Sequence, residues 1–246
     1  MLLTHIKHYP GSDLPSLHGR ISMASLIVPT VPAQCYTRRL RRRINHPVIA
    51  RQTVADVRSA IGGIQPQFMQ QQHSGDCIDI TKHCMIMPAA DASITTTPGL
   101  ALSVYTADCV PILLASSDGS QIAAIHAGWR GLYHGVIFNT LRALQQPASN
   151  FSAWLGPAIS HHAYLVNEQF RANFCDQQPH ANSYFRHDGD CVYFDCPGFA
   201  ESQLQQCGVQ QIHRNQRCTF LDDQLPSYRR SEGRSSERIL SLVWRD

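Results

Sequence analysis

The sequence predicts an α+β fold. Three observations support this class: short apolar, β-prone runs cluster in the middle of the chain, helical periodicity follows them, and strands and helices do not alternate in the regular count of a βαβ protein. The 246 residues, of which 43% are hydrophobic, are enough to bury a core as one large domain or two small ones.

Three consecutive strands are predicted in the middle of the chain. Gly99–Tyr105 is short, apolar and β-prone, and Cys109–Ala115 is a second apolar run. A turn at residues 117–119 separates this run from a third strand at Gln121–His126. The second and third strands are therefore expected to form a hairpin-like unit.

Helices are predicted after the third strand. One helix is indicated by apolar residues at helical spacing, namely Leu132, Val136, Ile137, Leu141 and Leu144. Pro147 is expected to end this helix. Two more helices are predicted over Asn167–Phe174 and over Pro197–Gln206, the latter opening with proline near its first turn.

The charge distribution bears on the partners of the protein. The formal net charge of +3 neither requires nucleic acid nor excludes an anionic small substrate. The basic run Arg38–Arg43 is either an arm that binds nucleic acid or a membrane surface, or a solvated face. No aromatic residues interleave with its arginines, which favours the solvated face. We therefore expect no nucleic-acid partner.

Cysteine usage and hydropathy bear on the compartment. The nine cysteines are odd in number and include no C-x-x-C pair, so neither a complete disulfide framework nor a zinc finger is expected. The N-terminus lacks a secretory pattern, and no apolar run is long enough to span a bilayer. We expect a cytoplasmic protein without a membrane partner, either a monomer or a small homo-oligomer.

Three motifs contain residues that bind metals: Gln72-His73-Ser74, Thr106-Ala107-Asp108-Cys109 and His126–Gly131. The side chains of His73, Cys109 and His126 suit Zn²⁺, and three protein ligands leave a fourth position open for water. The ligands are 36 and 17 residues apart, a spacing typical of assembled catalytic sites. A Cys-His hydrolase, with Cys109 as nucleophile and His126 as base, uses the same residues and remains an alternative.

Two of these motifs resemble the laccase-domain family. The resemblance rests on T-A-D-C-x-P at Thr106–Pro111 and I-H-A-G-W-R-G at Ile125–Gly131, and it extends from about residue 66 to the end of the chain. Members of this family were once catalogued as multicopper polyphenol oxidases and are now regarded as purine nucleoside phosphorylases with adenosine deaminase activity. Further matches are Ala90-Asp91-Ala92 with Thr95, Leu155–Ser160, Cys218-Thr219, Ser227–Arg230 and Gly233-Arg234.

The resemblance implies a fold, a metal and a chemistry. The fold is a single layered domain over residues 1–246, with mixed β-sheets flanked by helices and divergent residues 1–60, distantly like the catalytic domain of cytotoxic necrotizing toxins. By position, His73, Cys109 and His126 are the catalytic metal ligands, with zinc as the cofactor and copper as an alternative. The implied reactions are phosphorolysis of adenosine, inosine and methylthioadenosine, which uses phosphate, and deamination of adenosine.

Other residues receive roles from their chemistry. Arg130 lies where a helix begins, and helix N-termini favour anions. Arg229, Arg230 and Arg234 cluster near the C-terminus, where a planar guanidinium can make two-point contacts to phosphate. Arg130 and Arg230 are our candidates for binding phosphate or substrate. Asp108 is the candidate for a carboxylate that orients a ligand imidazole.

The chain also departs from the family, and this leaves alternatives open. An Arg-Gly-Gly-Ser stretch near the N-terminus and an Asn-Arg pair before the Q-x-H segment are both missing, and Tyr164-Leu165-Val166 lacks an acidic residue. A non-catalytic nucleoside-binding protein therefore remains an alternative. A copper-dependent polyphenol oxidase ranks lower, because the thirteen histidines include no His-x-His pair.

Overall fold

The computed structural model describes most of the chain. Residue 55, residues 57–59 and residues 61–245 are described with their side chains, and the backbone alone is described for residues 7–8, 21–32 and 47–49. Within these residues, the chain forms two six-stranded sheets, one three-stranded sheet and four α-helices with defined bounds, and residues 55 and 57–59 are also helical. The basic run Arg38–Arg43 lies outside the described residues.

The strands are numbered in chain order. They are β1 (Lys7–His8), β2 (Ile21–Pro32), β3 (Pro47–Ile49), β4 (Gln65–Gln67), β5 (Cys77–Asp79), β6 (Ala92–Thr95), β7 (Leu100–Thr106), β8 (Val110–Ser116), β9 (Ile122–Ala127), β10 (Phe151–Leu155), β11 (Leu165–Val166), β12 (Phe185–Asp188), β13 (Cys191–Phe194), β14 (Gln211–Arg214) and β15 (Glu237–Arg245). The helices are α1 (Trp129–Tyr133), α2 (Val136–Ala143), α3 (Glu168–Gln177) and α4 (Cys196–Gln206), with 3₁₀ turns at Ala148–Asn150 and Pro179–Tyr184.

The first sheet joins the two ends of the chain to its middle. Its order is β1-β2-β15-β7-β4, and β3 pairs with β2. Strands β2 and β15 are antiparallel over nine residue pairs, from Ile21 opposite Arg245 to Pro29 opposite Glu237. Strand β15 is also antiparallel to β7, whereas β4 is parallel to β7. Strand β15 therefore lies inside the sheet, next to the strand that leads towards Cys109.

The second sheet is also mixed. Its order is β14-β10-β8-β9-β6-β5, with parallel pairs β10–β14 and β5–β6 and antiparallel pairs between the other neighbours. The third sheet, β11-β13-β12, is antiparallel. Mixed sheets with flanking helices confirm the predicted α+β class.

The core is layered because alternate residues of each strand face opposite sides. Leu102 of β7, Leu113 of β8 and Val243 of β15 belong to one apolar cluster, so the two large sheets pack against each other. The other face of the second sheet packs on α2 and α4, for example through Ile112 and Phe199. Strands β7, β8 and β9 are buried along their whole length, which explains their almost continuous apolar sequences.

The predicted strands are confirmed with a shift of one residue at each end, and β8 and β9 pair antiparallel as expected. The single helix predicted after β9 is wrong, because two helices, α1 and α2, occupy this region. Gly135 separates them with a left-handed φ of 75°, which glycine adopts without steric cost. Helix α3 begins after Asn167, whose side chain accepts a hydrogen bond from the Phe170 backbone N–H.

Two further expectations concern cysteines and membranes. The cysteines among the described residues, which exclude Cys35, are all free thiols. None of the helices in the described part of the chain combines the length and the apolar character that crossing a membrane requires.

Candidate metal centre

The structure brings the side chains of His73, Cys109 and His126 together. Their potential ligand atoms all lie within 4.8 Å of one another. The Cys109 Sγ is 3.8 Å from the His73 Nε2, and the two imidazole rings are edge-to-face with centroids 4.6 Å apart. Nitrogen and sulfur ligands of one tetrahedral zinc ion are separated by about 3.6 Å. The donor set and its spacing therefore fit a single zinc ion.

The ligands lie where the chain passes between the two large sheets. Cys109 ends the short connection from β7 in the first sheet to β8 in the second. His73 lies in another such connection, from β4 to β5, and has a left-handed φ of 59°. His126 lies near the end of β9, directly opposite Pro111 of β8. The antiparallel β8–β9 pair thus places Cys109 beside His126, as the hairpin-like unit predicts.

A buried carboxylate, that of Asp91, organises two of the three ligands. Asp91 has no solvent exposure. Its Oδ1 lies 2.7 Å from the His126 Nδ1 and accepts a 2.9 Å hydrogen bond from the His73 backbone N–H. Its Oδ2 accepts hydrogen bonds from the backbone N–H groups of Gln72 and Ser74 and from the Ser74 hydroxyl. One side chain therefore holds both the His126 ring and the loop of His73.

The protonation states of this pair follow from its surroundings. Burial acts to raise the pKa of Asp91, but the hydrogen bonds from His126 and from the backbone at Ser74 and Gln72 outweigh burial and lower the pKa. The carboxylate is therefore ionised, and the His126 Nδ1 carries the proton that it donates. The Nε2 of His126 is then the atom available to a metal, as in carboxylate–histidine–zinc arrangements.

The His126 imidazole itself is biased towards its charged form in the absence of metal. Burial acts to lower the pKa of His126, but the neighbouring Cys109 sulfur and the Asp91 carboxylate outweigh burial and raise the pKa. A metal ion that binds here must displace a proton, because only the neutral imidazole is a ligand.

Gly128 gives the ligands room. It is the N-cap of α1, and its φ of −76° is open to any residue, so backbone strain does not require glycine here. A Cβ atom at this position would lie 2.8 Å from the Cys109 Sγ and 3.0 Å from the His73 Cδ2. The first glycine of the H-A-G-W-R-G motif is therefore explained by close packing against two ligands.

A cavity of about 360 Å³ opens onto the three ligands. This volume is in the range of small-molecule binding sites. The cavity is lined by Gln71, His73, Tyr105, Thr106, Ala107, Asp108, Cys109, His126, Trp129, Arg130, Ile159, Tyr164, Cys196, Tyr228, Arg229 and Arg238.

The structure places Asp108 in the cavity wall but gives it a different partner from the one expected. Its two carboxylate oxygens accept 2.6 Å hydrogen bonds from the Thr219 hydroxyl and from the Arg229 backbone N–H. The carboxylate that orients a ligand imidazole is Asp91. The expectation for Asp108 is corrected in this respect, because its side chain points towards the C-terminal loop.

The two candidate arginines separate in space. Arg130 lines the cavity, and its guanidinium lies 4.4 Å from the centre of the Trp129 ring. Arg230 does not line the cavity. Its guanidinium donates to the backbone carbonyls of Thr219, Phe220, Asp222 and Leu225. The structure thus places Arg230 outside the cavity, where these donors hold the loop of residues 219–225, and its expected role in phosphate binding stays a prediction.

Sequence reasoning assigned no role to Asp91 or Arg238. Asp91 is a lone acidic residue between small apolar residues at the start of a buried strand, which indicates a paired buried carboxylate. Arg238, Leu240 and Leu242 occupy alternate positions at the start of β15, so their side chains are expected on the same face of the strand. Such a position on the buried face of a strand indicates a cation held inside the protein.

The chain is similar in sequence to a protein family and to relatives named purine nucleoside phosphorylase. Residues 47–246 match the family described as "Multi-copper polyphenol oxidoreductase laccase". Purine nucleoside phosphorylase YfiH of Escherichia coli (strain K12) is 36% identical over 181 residues, which cover 73% of this chain and 74% of that protein. Purine nucleoside phosphorylase RP494 of Rickettsia prowazekii is 32% identical over 209 residues, which cover 81% of this chain and 87% of that protein.

A solved structure has the same fold. The Neisseria meningitidis protein NMB0706 superposes with a TM-score of 0.78 at 28% identity, over 98% of this chain and 99% of that chain. The structural similarity therefore extends over both large sheets.

Proposed function

The chain belongs to the multi-copper polyphenol oxidoreductase laccase family, and on that premise we propose that it is a zinc-dependent purine nucleoside phosphorylase that also deaminates adenosine. The membership confirms the resemblance that the motifs predicted. The observation that carries the proposal is the convergence of His73, Cys109 and His126 at one cavity. Relatives named purine nucleoside phosphorylase, 32% and 36% identical, support the substrate class.

The proposed metal is zinc, held by His73, Cys109 and His126. Two imidazoles and a thiolate with an open fourth position suit a catalytic zinc ion, although copper accepts the same ligands. When bound, zinc supplies Lewis-acid chemistry and activates water. A multicopper centre needs more imidazoles than one mononuclear site offers. Among the described residues, His73, Cys109 and His126 form the only cluster of three potential ligands.

The proposed phosphorolysis acts on adenosine, inosine and methylthioadenosine. An oxygen of phosphate bonds to C1′ of the ribose while the bond from C1′ to the purine N9 breaks. The base leaves with the electron pair of that bond and takes up the phosphate proton. The products are free base and ribose 1-phosphate, or 5-methylthioribose 1-phosphate when the substrate is methylthioadenosine. Arg130, at the cavity rim beside Trp129, is proposed to bind the substrate.

The proposed deamination adds water at C6 of adenosine and releases ammonia, which yields inosine. This reaction requires a proton acceptor and donor. Asp108 is the carboxylate among the residues that line the cavity, so we assign proton transfer to it. Asp91 is excluded from that role because it is fully buried behind His126 and does not line the cavity. Its role is to position His126 and the loop of His73.

A Cys-His hydrolase is the second candidate, and one observation favours it. Asp91, His126 and Cys109 are in contact in the order of an Asp-His-Cys triad. A thiolate nucleophile, however, requires no second imidazole, and the His73 Nε2 lies 3.8 Å from the same sulfur. The second imidazole favours the metal enzyme. Measuring bound metal in the purified protein separates the two candidates, because the hydrolase requires a metal-free thiol.

The deciding experiment is chromatography of adenosine incubated with zinc-loaded protein, with and without phosphate. We expect adenine only with phosphate, and inosine in both tubes. Removal of the metal by a chelator should abolish both products, and added zinc should restore them. Adenosine that survives unchanged in every tube would contradict the proposal and favour a hydrolase or a non-catalytic nucleoside-binding protein.

Three further expectations remain predictions. They are a single domain over residues 1–246, a monomer or small homo-oligomer, and a cytoplasmic location.

A further inference from the structure

Arg238 is a buried cation in the wall of the cavity. Only 8% of its surface is exposed, yet it belongs to the residues that line the cavity beside Cys109. Charged side chains are rarely buried to this extent unless an opposite charge accompanies them. The partner of this guanidinium therefore needs an explanation.

The strand register explains how Arg238 reaches the cavity. In β15, Ile239 lies opposite Thr106 and Leu240 lies opposite Tyr105 of β7. Arg238 is thus one residue beyond this ladder, next to the connection that carries Cys109. Residues two apart on a strand share a face, so Arg238 lies on the same face as Leu240. Residues directly opposite in a strand pair also share a face, so Leu240 lies on the same face as Tyr105. Arg238 and Tyr105 therefore lie on the same face, towards the cavity.

The charge of Arg238 is not balanced within the described part of the protein. No carboxylate there lies within ion-pair distance of its guanidinium. Its Nη1 donates to the backbone carbonyls of Ser235 and Glu237, at 2.9 Å and 2.7 Å. The Asp108 carboxylate, the nearby negative charge, has both oxygens engaged by Thr219 and by the Arg229 backbone. The remaining guanidinium donors are consistent with an anionic ligand in the cavity.

The Tyr105 hydroxyl is a second unused donor. It is buried and has no hydrogen-bond partner among the described residues. Burial raises the pKa of Tyr105 to about 12, so the hydroxyl keeps its proton at neutral pH. The side chain of Gln71 makes two 2.9 Å hydrogen bonds with the N–H and C=O of Tyr105 and thereby fixes its backbone. A buried donor without a partner costs free energy that a bound acceptor recovers.

We propose that Arg238 and Tyr105 form the subsite that binds phosphate for the phosphorolysis. This inference rests on the proposed function, because phosphate is the anion that the reaction requires. A planar guanidinium donates hydrogen bonds to two phosphate oxygens at once, and a hydroxyl can donate to a third phosphate oxygen. The subsite lies in the same cavity as the three metal ligands, where phosphate must meet the nucleoside.

The inference is tested with two variants and a matched control. Arg238→Gln removes the charge, and Tyr105→Phe removes only a hydroxyl that has no partner in the described structure, so the latter variant should fold normally. Arg234→Gln is the control, because Arg234 is 77% exposed and pairs with Glu232. The measurements are the KM for phosphate, the KM for inosine, and the shift in melting temperature caused by inorganic phosphate alone.

We expect Arg238→Gln to raise the KM for phosphate by about 10- to 100-fold, and Tyr105→Phe by about 3- to 10-fold, with a smaller change in the KM for inosine. Phosphate should raise the melting temperature of the wild type and of Arg234→Gln, but not of Arg238→Gln. If Arg238 and Tyr105 had only a structural role, the variants would be less stable, but the KM for phosphate and the KM for inosine would change by similar factors. An unchanged KM for phosphate in both variants would overturn the inference while the phosphorylase function stood.

The melting experiment also separates the two proposals when no phosphorolysis occurs. If phosphate stabilises the inactive wild type and fails to stabilise Arg238→Gln, the anion subsite is supported and the proposed reaction is wrong. If phosphate stabilises neither the wild type nor the control, the subsite itself is refuted.

Discussion

The Oδ1 of Asp91 lies 2.7 Å from the Nδ1 of His126, and neither side chain is more than 3% exposed. The same carboxylate accepts hydrogen bonds from three consecutive backbone N–H groups of the loop that contains His73. Two candidate metal ligands that are far apart in sequence, His73 and His126, are thus held by one buried residue. This arrangement makes Asp91 a positioning residue. Its loss should lower the affinity for the metal more than it lowers the stability of the fold.

Replacement of Asp91 should weaken metal binding. In Asp91→Asn one acceptor oxygen becomes an NH2 donor, so either the His126 Nδ1 or the backbone N–H groups of the His73 loop lose their acceptor, and the remaining oxygen carries no charge. We expect the affinity for zinc to fall by about 10- to 100-fold, as is typical when a carboxylate behind a ligand imidazole is lost. Competition with a chromophoric chelator measures this affinity. Asp79→Asn, at an exposed position on β5, is the control and should bind zinc like the wild type.

Loss of the thiol should remove both metal and turnover. Cys109→Ala leaves two imidazoles, and the Cys109 sulfur is the ligand placed between the two sheets. We expect less than a tenth of the wild-type zinc content by elemental analysis and no phosphorolysis. Cys84→Ala, at a half-buried thiol outside the cavity, should keep both. Full activity in Cys109→Ala would show that the metal assignment is wrong.

Gly128→Ala should disturb the metal centre by steric conflict alone. The added Cβ would lie 2.8 Å from the Cys109 Sγ, which is closer than such atoms pack. The backbone at Gly128 accepts alanine, so the far-ultraviolet circular dichroism spectrum should stay unchanged while bound zinc and activity fall at least about tenfold. A variant with normal zinc content would mean that the ligands move aside at little cost.

Arg230 should matter for stability rather than for phosphate. Its guanidinium donates to four carbonyls of the loop of residues 219–225. We expect Arg230→Gln to lower the free energy of unfolding by about 1–3 kcal/mol, because several carbonyls lose a charged donor. Urea denaturation measures this change, and Arg234→Gln should alter it by less than about 0.5 kcal/mol. If Arg230→Gln instead raised the KM for phosphate at unchanged stability, the role expected from sequence would be right.

Much of the site was predictable because its pattern is local. Apolar runs such as Val110–Ser116 indicate strands, and the glycine-rich turn after His126 indicates where a strand ends. The three candidate ligands follow from the resemblance of short motifs to the laccase-domain family. The break between α1 and α2 was missed, because the apolar spacing continues across Gly135 and only the left-handed φ reveals the end of the first helix.

The sequence by itself determined the fold class, the central strands and the family, since each depends on short patterns of residues that are neighbours in the chain, and it supplied His73, Cys109 and His126 as candidate metal ligands through the same motifs. Only the tertiary structure showed that Asp91 holds the His126 imidazole, and that Arg238 lines the cavity whereas Arg230 does not. Asp91 meets His126, and Arg238 meets Tyr105, through the pairing of strands that lie far apart in sequence. A strand register is set by burial across the whole sheet, so residue type alone could not distinguish Asp91 from Asp108 or Arg238 from Arg230.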